Sequence, residues 1–297
     1  MERYIDLHTH SIYSEGVLDC KKLVTLAKKH NIKVMALTDH NVIDGVTEIT
    51  ELAKKIGIKI IPGVEIYTNY NNKGLHLLGY NFRSGKSALS ATMEKLQAGH
   101  RPQVLRSIKN LRSRGFIIDE ERLFNSPSRY LGAVHLLREM ENHPENVVKM
   151  AKELPAGQNH YFGKVYFYFG HGQPAYFANA ELPTPEAIDI IKQSGGFSVL
   201  AHPGQQLTYE EDGVILKLIK EGLDGVEVLS PYHNWHQTEH YQVAAIKNNL
   251  LITGGSDYHA DIDYTKKELV KRQWEYFKVP YNIYLDLTNR IKNLKKD

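Results

Sequence analysis

Residues 185–204, PEAIDIIKQSGGFSVLAHPG, place a helix, a stop and a strand in direct succession. Pro185 suits a first helical turn, where its missing N–H costs nothing, and Gly195-Gly196 lie just past the helix end. Residues 197–201 (FSVLA) then form a short apolar run that stops at His202-Pro203-Gly204. The rhythm continues downstream as a helix over 214–221, a strand over 225–230, a helix over 236–248 and a strand over 250–254. Upstream, residues 3–8 read as a strand. Asp19 caps a helix that turns Leu23, Leu26 and Ala27 inward and ends near Asn31. Residues 34–38 give another strand, 45–56 another helix, and 59–68 and 75–82 two more strands. Seven strands alternating with helices of this length predict parallel βαβ units, enough to close or nearly close a barrel.

Residues 83–179 break that rhythm. Helices are expected over 90–114 and 130–141, followed by an aromatic-rich stretch from Tyr161 to Phe177 that suits the core of a small subdomain. The expected organisation is a barrel built from 1–82 and 180–297 with a mainly helical insertion at 83–179.

A chain of 297 residues with 42% hydrophobic and 24% charged content supports a large buried core. No apolar run approaches the ~20 residues of a membrane-spanning helix. The acidic start, Glu2 and Asp6, is unlike a leader peptide. A single cysteine, Cys20, excludes an internal disulfide and fits a reducing, cytoplasmic setting; its place in the first helix predicts a buried, unreactive thiol. A net charge of +3 is too small for nucleic-acid binding by bulk attraction. Fifteen histidines are the compositional anomaly, and their positions give it meaning.

Metal-competent side chains fall where the apolar strands end. The first strand runs into His8-Thr9-His10, whose imidazoles at i and i+2 point the same way. The second runs into Thr38-Asp39-His40, and the third embeds Glu65 among apolar residues. Others end in His202-Pro203 and in Gly255-Ser256-Asp257-Tyr258-His259, while Glu227 lies in the strand between. Each motif alone is weak: HxH arises by chance, and Asp39 could cap a turn. Six at successive strand ends point to one face, the end of a β/α barrel where active sites are built. Mixed imidazole and carboxylate ligands suit Mn²⁺, Zn²⁺ or Fe²⁺, and their number suits two or three ions. Such a cluster clamps a phosphoryl group and activates water, so phosphate-ester hydrolysis is the leading chemistry. No Gly-x-Ser-x-Gly turn offers a serine nucleophile.

The set His8-Thr9-His10-Ser11, Thr38-Asp39-His40, Gly63-Val64-Glu65, Ala201-His202-Pro203 and Gly255-Ser256-Asp257-Tyr258-His259 resembles the PHP (polymerase and histidinol phosphatase) family across nearly the whole chain. The resemblance implies a distorted (β/α)7 barrel. Pro174-Ala175-Tyr176-Phe177 and residues 195–203 are similar to a branch of nucleotide phosphatases and 5′→3′ exonucleases. It further implies one ion on His8, His10, Glu65 and Asp257, a second on Glu65, His76 and His202, and a third on Glu15, His40 and His259. Glu15 departs from the Asp usual in that branch. Asp39 is implied as an orienting catalytic residue for His40 or a water, and His202 as catalytic as well as ligating. His76 opens its strand, which implies that this strand runs against its neighbours or sits in another register. Arg101 and Arg129 are implied substrate-binding residues, although Val104 and Leu131 replace other residues common in the branch. His233, His236 and His240 share a helix face, most simply a solvated one, with His233 placed near the site mouth as a candidate substrate contact. The expected substrate is a small nucleotide phosphate ester or a short 5′-phosphorylated single strand. Histidinol phosphate hydrolysis and a non-catalytic module are the alternatives.

Overall fold

The computed structural model describes residues 2–83, 85–179, 181–260 and 273–294. Its strands are β1 (Tyr4–Thr9), β2 (Ile32–Leu37), β3 (Lys59–Tyr70), β4 (Lys73–Tyr80), β5 (Leu182–Pro183), β6 (Phe197–Leu200), β7 (Gly225–Leu229), β8 (Leu251–Gly254) and β9 (Val279–Pro280). They form one sheet in the order β8-β7-β6-β4-β3-β2-β1-β9, with β5 paired to β3. The sheet curls until β1 meets the chain beyond β8. There Thr9 bridges Tyr258, and the His10 N–H donates to the Tyr258 carbonyl at 2.8 Å. The result is a nearly closed α/β barrel whose seam is drawn together at the C-terminal ends of its strands.

The barrel strands are not all parallel, and of the two readings left open for the strand that His76 opens, the reversed direction is the one found. β4 is antiparallel to both β3 and β6. Asn71 and Asn72 join β3 to β4 with φ of 52° and 66°, a two-residue turn in the left-handed region that suits a right-twisted hairpin. The beginning of β4 therefore lies at the end of the barrel where its parallel neighbours finish, and His76 arrives at the same face as the other histidines.

Helices α1 (Cys20–Lys29) and α2 (Gly45–Ile56) cover β1 to β3. Asp19 caps α1 by accepting from the Lys22 N–H at 2.7 Å, and Cys20, Leu23, Val24 and Ala27 face inward. Between β4 and β5 lie α3 (Ala88–Ser113), α4 (Glu120–Phe124), α5 (Ala133–Glu141), α6 (Pro144–Glu153) and α7 (Tyr161–Phe169). These helices share a hydrophobic cluster of their own that includes Leu111, Leu137, Met140 and Tyr168. The aromatic run of α7 serves that cluster. The barrel continues with α8 (Thr184–Gln193), α9 (Pro203–Gln206), α10 (Asp212–Lys220), α11 (Trp235–Lys247), α12 (Gln273–Tyr276) and α13 (Tyr281–Leu294). Among the described residues, no helix is long and apolar enough to cross a membrane.

His100 on α3 is 2% exposed, stacks on Tyr130 and donates from Nε2 to the Leu131 carbonyl at 2.9 Å. Burial lowers its pKa to about 4, against about 6.5 in the unfolded chain. The unfolded state therefore binds more protons between these values, and stability falls as pH drops through that window. The full effect is about 3 kcal/mol. Thermal unfolding across pH 4 to 7 should show His100→Gln with a shallower acid slope than the parent, and parallel slopes would refute the assignment.

Candidate metal centre

Glu65 lies on the part of β3 that runs beyond β2, with no exposed surface. Its Oε2 stands 3.1 Å from His8 Nε2, 3.2 Å from His10 Nε2 and 3.2 Å from His40 Nδ1. Its Oε1 meets His76 Nδ1 at 2.9 Å and His202 Nε2 at 3.1 Å. One carboxylate thus faces imidazoles delivered by the ends of β1, β2 and β6 and by the start of β4. Asp257, just past β8, adds Oδ1 at 3.2 Å from His8 and 2.9 Å from His10.

The backbone is bent to bring these groups together. Asp257 has φ of 50° and His202 φ of 22°, conformations that side-chain-bearing residues adopt only under constraint. Gly255 is required for close packing, because a Cβ there would collide with the backbone and Cβ of His8.

Five atoms of this cluster are buried without a hydrogen-bond partner: His8 Nε2, His10 Nε2, His40 Nδ1, Glu65 Oε2 and Asp257 Oδ1. They converge on one another. His8 Nδ1 donates to Glu227 at 3.0 Å, so a neutral His8 would aim the lone pair of Nε2 at two carboxylates. Acceptor facing acceptor in a dry interior is unfavourable unless a positive charge stands between them. Sets of ligand atoms within 4.8 Å of one another are formed by His8, His10, Glu65 and Asp257, by His10, His40 and His259, and by His40, Glu65 and His76. Nitrogen and oxygen donors in these sets fit divalent cations.

The same field shifts the protonation of the free groups. Burial alone would lower His8 and His10. The carboxylates Glu227, Glu65 and Asp257 overcome it for His8, and Asp257 and Glu65 hold His10 at about 9. His40 is driven well below the usual range by burial, and His259 falls to about 4 for the same reason. Glu65 and Asp257 are held well below the usual carboxylate range despite burial by the imidazoles packed against them, and with His40 and His259 neutral the positive charge they meet is that of His8 and His10.

Several residues depart from the sequence-derived roles. Glu15 belongs to none of the ligand sets; its carboxylate lies against Gly132 at the start of α5, and burial lifts its pKa to about 7. His10 takes the expected place of Glu15 beside His40 and His259. Asp39 does not reach His40. Both its oxygens accept from the loop after β1, from the Ser11 N–H at 2.8 Å, the Ser11 hydroxyl at 2.7 Å and the Ser14 hydroxyl at 2.6 Å. It therefore shapes the turn that carries His10. His233 is neither a free substrate contact nor part of a solvated face. Its Nδ1 donates to the Val228 carbonyl at 2.9 Å and its Nε2 accepts from the Gly204 N–H at 3.0 Å, which ties the loop after His202 to β7. Of the other two residues on that face, His236 is exposed and His240 pairs with Asp212 at 2.9 Å. Arg101 and Arg129 line one cleft of about 290 Å³ with Gln97, His100 and Phe124. Arg101 lies 3.9 Å over the Phe124 ring, and Arg129 approaches Asp44 only to 3.8 Å.

Three supporting residues had no specific role assigned from sequence, although Glu227 stood among the metal-competent residues of the strands. Glu227 accepts from His8 and from the His202 N–H at 2.8 Å. Asp6 accepts from the His8 N–H at 3.1 Å, the Ser256 N–H at 2.9 Å and the Trp274 indole. Tyr232 donates to Asp257 Oδ2 at 3.0 Å, leaving Oδ1 for the cluster. A carboxylate inside the apolar run GVEVL is the one signal that pointed to Glu227.

Barrel and cluster together define a metal-dependent hydrolase. A model of the PHP domain matches residues 6–221, and the chain belongs to that family. It is 30% identical to a 5′-3′ exoribonuclease of Haemophilus influenzae, over 87% of this chain and 91% of that one. It is 26% identical to the phosphoribosyl 1,2-cyclic phosphate 1,2-diphosphodiesterase of Eggerthella lenta, over 86% and 93%. It is 25% identical to the 3′,5′-nucleoside bisphosphate phosphatase of Chromobacterium violaceum, over 86% and 87%. A solved structure from Bifidobacterium adolescentis, assigned as a metal-dependent phosphoesterase, superposes with a TM-score of 0.74 at 22% identity, covering 97% of this chain and 96% of that one.

Glu227 fixes the ring of His8 without touching the cation position. Glu227→Gln should weaken divalent-ion binding by about 10–100-fold, the usual cost of removing such a support. Calorimetric titration of the metal-free protein with Mn²⁺ reads the effect, and unchanged affinity would remove Glu227 from the centre.

Proposed function

We propose that this PHP barrel is a metal-dependent phosphoesterase acting on nucleotides: a nucleoside monophosphate, a 3′,5′-bisphosphate or a short 5′-phosphorylated oligonucleotide. The observation that carries the reading is the convergence of five partnerless buried atoms from His8, His10, His40, Glu65 and Asp257. His8, His10, Glu65 and Asp257 would hold one ion, and His76, with Glu65, a second. His10, His40 and His259 leave room for a third. Mn²⁺, Zn²⁺ and Fe²⁺ suit this donor chemistry. When bound, such ions neutralise a phosphoryl group, lower the pKa of a water and stabilise the departing oxygen.

The chain's own residues then have distinct tasks. Glu65 divides its oxygens between two groups of imidazoles and would so be available to more than one ion. Tyr232 keeps Asp257 presenting a single oxygen. His202 stands at the Glu65 Oε1 side, its Nδ1 held by the Gln206 amide at 2.8 Å, where it can ligate or meet a leaving oxygen. Residues 83–179 would cover the nucleoside. The Arg101 guanidinium, braced on Phe124, keeps its N–H edge available for a second phosphate, with Arg129 across the same cleft. Cys20 is buried in α1, and burial pushes its thiol up, which suits an unreactive core residue.

Phosphate and nucleotide release by the Mn²⁺-loaded protein tests this reading. The panel is 5′-AMP, 3′,5′-bisphosphorylated adenosine, histidinol phosphate and a 5′-phosphorylated oligonucleotide. Turnover of the nucleotide substrates is expected, with a loss of at least about 100-fold in His202→Ala. Histidinol phosphate as the sole good substrate would replace the substrate assignment. No turnover with ions bound would mark a non-catalytic module.

A further inference from the structure

The opposite end of the barrel carries a second feature that the phosphoesterase centre does not use. Two basins flank the N-terminal end of β1. The larger, about 630 Å³, is lined by Arg3, Lys33, Lys54 and Lys59 together with Tyr281 and Tyr284. The smaller, about 270 Å³, is lined by Lys29 and Lys278 with Tyr4 and Glu2. Six cations thus face one carboxylate, an excess of five, whereas the excess over the whole chain is three. The remainder of the molecule is therefore net acidic, and positive charge is gathered at this end.

None of the six forms a salt bridge with a carboxylate among the described residues. Three are held by rings instead. Arg3 lies 4.4 Å over Tyr281, Lys59 lies 5.1 Å over Tyr284, and Lys278 lies 4.8 Å over Tyr4. A ring positions a cation without cancelling its charge. Lys29 and Lys54 sit in the last turns of α1 and α2, where they offset the helix dipoles. That explanation does not extend to Arg3, Lys33, Lys59 and Lys278, which stand at or beside the starts of strands.

We propose that this end of the barrel is a binding track for the phosphate backbone of a single-stranded oligonucleotide. Lys59, Lys33, Arg3 and Lys278 stand at or beside the starts of β3, β2, β1 and β9, neighbouring strands about 5 Å apart, with Lys54 and Lys29 on the helix ends beside them, so the charges form a row that runs through both basins. A row of fixed charges fits successive phosphodiesters. The apolar residues lining the larger basin, Val34 and Ile58, are 1% and 5% exposed, so a lipid bilayer finds no apolar wedge here. The tyrosine faces are already covered by cations, which predicts binding without base preference. The inference rests on the reading that the substrate carries a phosphodiester chain: a strand long enough to leave the metal centre and pass around the barrel would gain affinity at this end.

The test is fluorescence anisotropy of a labelled single-stranded RNA of about 20 nucleotides with the full chain in EDTA, titrated between about 50 and 200 mM salt. Lys29→Gln/Lys33→Gln/Lys54→Gln should raise Kd about tenfold and reduce the slope of log K against log salt by about 2, at ~0.7 per lost phosphate contact. The matched variant Lys217→Gln/Lys220→Gln/Lys247→Gln, on α10 and α11, should bind as the parent does. If the first variant loses thermal stability, Lys54→Gln alone, at an exposed helix end, should still shift the slope by about 0.7. Equal behaviour of the two triple variants would overturn the proposal. So would complete displacement of RNA by millimolar inorganic phosphate, or binding to phosphatidylserine vesicles without binding to RNA. Hydrolysis of mononucleotides with RNA affinity indifferent to these lysines would sink the track and keep the phosphoesterase. RNA binding through these lysines with no hydrolysis of any substrate would do the reverse.

Discussion

The carboxylate of Glu65 is the constraint around which the barrel is arranged. It is fully buried and ionised, and it lies within about 3 Å of nitrogen atoms from five histidines. An isolated buried carboxylate costs several kcal/mol, so each neighbour has to answer that charge. β3 runs past β2 to deliver Glu65, and β4 turns back on it to deliver His76. The residues His202 and Asp257 adopt backbone angles that ordinary strands avoid. These distortions lie at one end of the barrel, where the charge is.

The ligands come from around the ring: β1, the end of β2, β3, β4, the end of β6 and the segment after β8. Behind them stand Glu227 and Asp6, each shared between two elements. Without a cation, protons on His8 and His10 supply the positive charge, while His40 and His259 remain neutral. A divalent ion would replace those protons and join strands that are far apart in sequence. Anything that binds the folded state alone stabilises it by mass action, so the centre and the closure of the barrel are one energetic unit.

Much of this was legible in the chain. His8-Thr9-His10, His40, Glu65, His202, Asp257 and His259 announced themselves because polar residues at the ends of apolar runs need a reason to be there. The position of His76 at the start of its strand left the direction of β4 open between two readings, and Asn71-Asn72, the hairpin turn that decides between them, was not read as such. Hydropathy shows that a residue is buried, not what it touches. Glu227 reads as a possible ligand, but it contacts the histidine edge remote from the cluster. Asp39 reads as a partner of His40, but the serines of the β1 loop are nearer and hold both its oxygens. The case of Glu15 is similar. Gly132, the residue that precedes α5 far along the chain, makes room for its carboxylate, and no local pattern encodes that accommodation.

The helices between β4 and β5 complete the argument about specificity. Their contact with the barrel is a column of rings: Tyr67 stacks on His40 at 4.4 Å, Tyr130 follows at 5.7 Å, and His100 stacks on Tyr130 at 4.2 Å. His135 adds a donor to the Ser14 carbonyl at 2.7 Å, and Arg138 one to the Glu15 carbonyl at 2.8 Å. The loop that carries His10 is therefore held from both sides, by Asp39 within the barrel and by α5 outside it. The cleft bearing Arg101 and Arg129 is thus joined to the metal centre through these ring contacts and hydrogen bonds. Under the proposed reading, such coupling would let Arg101 and Arg129 hold a second phosphate at a set distance from the ions, because discrimination by distance requires both ends to be fixed.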